Sequence, residues 1–167
     1  MLEINSYSSS ILHDISFSLK ENENLIILGE NGAGKSTLAK VLSNLISNNN
    51  VKLFGEKIDK ISDLQRAKFI NYIPPKLSIF DEYVTLREFL ELSSIDIVNN
   101  EKIDKIISLL KLEKLENRYC KAFSSGEKQL LLLASSIMHD AKITIFDELT
   151  ANLDISRLKE VFDIFNS

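Results

Sequence analysis

Gly29-Glu30-Asn31-Gly32-Ala33-Gly34-Lys35-Ser36-Thr37 has the spacing G-x-x-x-x-G-K-[ST] of a phosphate-binding loop. The apolar run Leu25-Ile26-Ile27-Leu28 before it reads as a short buried strand, and Leu38-Ala39-Lys40-Val41-Leu42 after it has helical spacing. A strand-to-helix turn is the context this motif requires. Glycines let successive backbone N–H groups and the positive end of the following helix face an anion without a Cβ in the way. Of the five glycines in the chain, three sit in this loop, which argues against an idle turn. The loop therefore predicts a bound nucleoside triphosphate, with Gly29, Asn31, Gly32, Ala33, Gly34, Lys35, Ser36 and Thr37 as its binding set. Lys35 reaches the β- and γ-phosphates as a point charge, and Ser36 supplies a hydroxyl to Mg²⁺.

Working outward, 167 residues suffice for one core with a small lobe attached. The formal net charge is −4 with both signs interspersed, so no nucleic-acid-binding surface is expected. Cys120 is the only cysteine, read as an inert thiol in a reducing compartment. No signal-peptide-like stretch and no apolar run near the roughly 18 residues of a membrane span is present. The expectation is a cytoplasmic chain that works at a membrane, if at all, by docking.

Elements alternate along the chain. A strand is expected over Ile11 to Leu19, a short one at Val51-Lys52-Leu53 ending at Gly55, and one at Phe69 to Ile73 stopped by Pro74-Pro75. Helical period marks Ile61 to Lys68, Thr85 to Leu92, Glu101 to Leu110 and Lys111 to Arg118. A helix from about Ser125 to Met138, a strand at Lys142 to Phe146 and a helix at Ile155 to Phe165 complete the pattern. The fold expected is α/β: a phosphate-loop core with a mostly parallel sheet flanked by helices, small antiparallel strands at the N-terminus and an inserted helical subdomain. Residues 1–75 and 124–167 form the core and 76–123 the insert.

Two further constellations carry chemistry. Ile143 to Glu148 is a strand ending in two carboxylates, and ligands of open α/β sheets collect at such strand ends. Asp147 is placed to hold Mg²⁺, and Glu148 to orient or deprotonate an attacking water; the bland reading of the pair is helix capping. Phe123 to Gln129 opens a helix with Ser124 and Glu127 spaced as a capping box. Capping leaves Gly126 unexplained, because glycine in a helix costs about 1 kcal/mol against alanine. Its lack of a side chain would let an anion approach the helix N-terminus.

Together these stretches resemble the ATP-binding subunit of an ABC transporter. Walker A at Gly29 to Thr37, the signature at Phe123 to Glu127, Walker B at Ile143 to Glu148 and a D-loop at Ala151-Asn152-Leu153-Asp154 occur in the family's order. The resemblance implies ATP and Mg²⁺ as ligands and ATP hydrolysis coupled to transport. It implies a homodimer or a paired ATPase subunit packed head to tail, and integral membrane permease partners. Ser124 and Gly126 would then touch the γ-phosphate held by the other chain, and Tyr7 would stack on adenine. The runs Ala67 to Pro74 and Val84 to Glu88 are most similar to importers of iron-siderophore or vitamin B12 type.

The departures are specific. Ser125 stands for the usual first signature glycine, Glu127 for glutamine and Leu149 for proline. Pro75 stands where the Q-loop offers glutamine. The extra carboxylate of Glu127 is expected to repel a γ-phosphate and weaken the ATP-bound dimer. A switch histidine is expected beyond Ser167, on a strand and helix missing from this sequence, and neither His13 nor His139 stands in its place. The alternative function is a nucleotide-binding module that binds ATP without efficient hydrolysis. An ABC-type ATPase of DNA repair or translation is disfavoured by the acidic balance.

Overall fold

A computed structural model describes residues 2–77, 83–95 and 97–148. The D-loop, Leu149 and the helix expected at Ile155 to Phe165 lie outside them. The described chain forms two compact units, residues 2–72 with 141–147, and residues 73–140 with Glu148.

In the first unit, β1 (Leu2–Tyr7) and β2 (Ile15–Leu19) pair antiparallel, with Leu2 opposite Leu19 and Ile4 opposite Phe17. The register slips between Ile4 and Tyr7, where Ser6 takes a φ of 46°. Helix α1 (Lys35–Leu42) follows the loop and buries Leu38, Ala39, Val41 and Leu42. Strands β3 (Val51–Leu53) and β4 (Glu56–Lys57) are joined by Phe54-Gly55. Both linking residues have positive φ, 50° and 88°, as a two-residue hairpin following the right-handed twist of its strands requires. The sheet order is β2-β1-β3-β4. Helix α2 (Asp63–Phe69) is capped by the Ser62 side chain, which accepts from the Gln65 N–H. Strand β5 (Ile70–Ile73) ends where Pro74-Pro75 withdraws two ladder donors, and it neighbours β6, Ile143–Phe146. Leu2, Ile4, Leu12, Val41, Val51 and Leu53 form the centre of this unit's core.

The expected strand at Leu25-Ile26-Ile27-Leu28 is a correction. These residues are irregular and 47, 75, 40 and 87% exposed. A strand exists through its ladder, and among the described residues β6 pairs only with β5, so the run has no partner to register against.

The second unit contains α3 (Leu86–Leu92), α4 (Asn100–Leu109) and α5 (Ser125–His139). Each starts at a side-chain cap: Thr85, Asn99 and Ser124 accept from the N–H three residues on. Leu86, Leu90, Ile103, Ile106, Leu131 and Leu133 are buried where these helices pack together. The stretch expected as a helix from Lys111 to Arg118 holds only a 3₁₀ turn at Glu113–Leu115. Because α5 packs on α3 and α4, residues 124–140 cluster with the helices of the second unit.

Candidate functional site

The loop Gly29 to Thr37 curls around its own lysine. Lys35 Nζ donates to the Gly29 and Glu30 carbonyl oxygens, each at 2.8 Å, so the ammonium sits within the arch. Gly34 immediately precedes α1 with φ 93°, and a Cβ there would lie 2.8 Å from Leu12 Cδ2 and 2.9 Å from Ile11 Cγ2. The position therefore demands glycine for its backbone and for its neighbours. No acidic side chain of α1 itself stands in its first turn, so the helix supplies no anion of its own to its positive end. Asn31, Gly32 and Ala33 are exposed on the arch, and Thr37 is half-buried in the helix.

Ser36 and Asp147, 111 residues apart, meet here: Ser36 Oγ donates to Asp147 Oδ1 at 2.9 Å. Asp147 follows the last residue of β6 and is 5% exposed. A carboxylate so buried needs hydrogen-bond donors at both oxygens. The second comes from a residue the sequence reading did not single out: Tyr72 of β5 donates its hydroxyl to Asp147 Oδ2 at 2.9 Å. Burial, together with this bond to a carboxylate, pushes the Tyr72 phenol up to about 12, so it stays a donor at neutral pH. Ser36 and Asp147 are hard oxygen donors beside a phosphate-type loop, and Mg²⁺ uses one or two such groups with phosphate and water. The donor set fits that ion. Glu148, next in the chain, is exposed and has φ 60°, a left-handed conformation uncommon for a residue with a side chain. Tyr7 ends β1, half-buried and packed on the core of the first unit.

In the second unit, Ser124 and Glu127 form the capping box expected. Ser124 Oγ accepts from the Glu127 N–H at 3.3 Å, and Glu127 Oε2 accepts from the Ser124 N–H at 2.7 Å. Glu127 Oε1 meets Arg118 Nη1 at 3.1 Å, and the Arg118 guanidinium lies 5.6 Å from the centre of the Phe123 ring. The Ser124 backbone N–H, with Arg118 adding, holds the Glu127 carboxyl below the usual carboxylate range. The repulsion expected of Glu127 thus meets a cation alongside it. Gly126 is half-buried in the first turn, and Ser125 beside it is exposed.

A sequence profile of the ABC transporter family matches residues 12–151. The chain belongs to that family, as an ATP-binding domain. It is 31% identical over 168 residues to a lactococcin transport/processing ATP-binding protein of Lactococcus lactis, covering 93% of this chain and 23% of that one. It is 30% identical over 164 residues to a zinc import ATP-binding protein of Buchnera aphidicola, covering 98% of this chain and 64% of that one. The chain spans less than two thirds of the length of either ABC relative. A solved ATP-binding subunit of an ABC transporter superposes with a TM-score of 0.85 at 23% identity, covering 99% of this chain and 73% of that one. That likeness concerns the ABC fold. Among the described residues no helix is long and apolar enough to cross a membrane.

Proposed function

We propose that this chain binds Mg·ATP at Gly29 to Thr37 and hydrolyses it as one of a head-to-tail pair of ATPase subunits, driving transport through membrane permease partners. The observation that carries the reading is the meeting of Ser36 and Asp147 beside an arched loop with Lys35 at its centre. Phosphoryl transfer is mostly positioning and charge stabilisation, and these groups supply both. Lys35 exchanges the loop carbonyls for phosphate oxygens. Gly29, Asn31, Gly32, Ala33, Gly34 and Thr37 line the anion with backbone N–H groups. Ser36 and Asp147 would hold Mg²⁺, which would supply charge neutralisation to the triphosphate. Glu148 orients the attacking water and takes its proton. Ser124 and Gly126 contact the γ-phosphate held by the partner, and Tyr7 stacks on adenine.

Import of an iron-siderophore-type cargo is the direction favoured by the runs Ala67 to Pro74 and Val84 to Glu88. Relatives bearing both zinc-import and lactococcin-transport names leave the cargo to experiment. Pro75 offers no amide where a Q-loop glutamine would stand, so turnover is expected to be slow. Measuring nucleotide binding and phosphate release on one sample tests the reading. Lys35→Ala is expected to lose ATP binding, and Glu148→Gln to keep it while phosphate release falls by about 10²-fold or more. Tight binding without release in the unmodified protein would favour the non-hydrolysing module instead.

A further inference from the structure

The Asp147 carboxylate is pinned at both oxygens, by Ser36 Oγ at Oδ1 and by Tyr72 Oη at Oδ2. We propose that Tyr72 is a positioning residue of the metal-nucleotide site: its hydroxyl fixes the rotation of the Asp147 carboxylate and so sets the affinity for the divalent cation. The inference rests on the reading of Ser36 and Asp147 as cation-holding groups.

The terminal torsion of an aspartate is broad, so a carboxylate held at one oxygen can still turn about its Cβ–Cγ bond. Held at two, it cannot. Tyr72 is suited to the task because it stands on β5, the neighbour of β6, and the pairing of those strands fixes where the phenol meets the strand end. Tyrosine has few rotatable bonds, so the donor is ordered at small entropic cost. Ser36 belongs to the loop, whereas Tyr72 belongs to the sheet; the carboxylate is thereby tied to both. Each carboxylate oxygen keeps a further lone pair for a cation or its water. Groups that orient a metal's partners in this way typically govern about 10–100-fold in metal affinity.

The test uses the whole protein with Mn²⁺ as a paramagnetic stand-in, titrated by EPR in the presence of a non-hydrolysable ATP analogue. Tyr72→Phe removes the hydroxyl and keeps the ring. We expect Mn²⁺ to bind about tenfold more weakly, while analogue binding in EDTA is unchanged. Tyr72→Gln, which returns an N–H donor, recovers part of the loss. Ser36→Ala and Asp147→Asn serve as references. If both weaken Mn²⁺ binding and Tyr72→Phe does not, the role of Tyr72 is overturned and the site reading stands. If neither reference variant weakens it, the site reading falls and the inference with it. Equal losses in Tyr72→Phe and Tyr72→Gln also overturn the inference. Should Tyr72→Phe not fold, Tyr72→Leu takes its place as the variant without a donor: Mn²⁺ binding weaker in Tyr72→Leu than in Tyr72→Gln supports the role, and equal affinities end it.

Discussion

Glu148, proposed above to orient the attacking water, sets stability against that proposed chemistry at the scale of one residue. Its φ of 60° is a conformation that costs a residue with a Cβ about 1–2 kcal/mol. Among the described residues no partner repays that at its exposed side chain, whereas a glycine would accept the same backbone freely. We expect Glu148→Gly to raise the unfolding free energy by up to about 1 kcal/mol, the greater freedom of glycine in the unfolded chain offsetting the rest. Glu148→Gln, which keeps the side chain and its strain, should melt with the unmodified protein. Thermal melts of the two variants decide the matter: equal melting temperatures would remove strain from the account. A strained residue directly after a buried carboxylate is a mark of functional sites.

At the scale of an element, the start of α5 shows how one carboxylate serves several bonds. Glu127 accepts from the Ser124 N–H and pairs with Arg118, and its native pKa lies below the ordinary 4.5. As pH falls, the unfolded chain therefore takes up this proton first. The stabilisation is complete above about pH 4.5 and fades as pH drops through the lowered native value. Stability measured by denaturant titration should consequently fall less steeply below pH 4.5 in Glu127→Gln than in the unmodified protein. Identical slopes would show that the carboxylate keeps an ordinary pKa. The capping box was legible because its members are three residues apart and local spacing suffices. The Arg118 pairing was not, because it depends on a chain reversal that sequence period does not encode.

Across the whole molecule, what could be read beforehand was whatever one segment specifies alone. The α/β alternation, the loop and the acidic strand end all belong to that class. Tyr72 does not, since its bond to Asp147 joins positions 75 apart and depends on which strands neighbour each other. Leu25 to Leu28 failed for the related reason that an apolar run does not name its partner strand. The second unit offers its own probe in Cys120, the sole cysteine, which is fully buried. Burial pushes its thiol up to about 11, so the reactive thiolate is scarce at pH 8. Alkylation should therefore proceed only as fast as this unit opens, accelerating with denaturant in step with the loss of helical circular dichroism. Rapid labelling in native buffer would contradict the packing described. The ammonium of Lys35, finally, is already engaged by Gly29 and Glu30. On the proposed reading, an arriving phosphate would inherit a cradle whose ordering entropy has been met in advance, and would trade one set of oxygens around the cation for another. Removing that side chain would thus slacken the cradle as well as discharge it, so the affinity lost on its deletion overstates the charge alone.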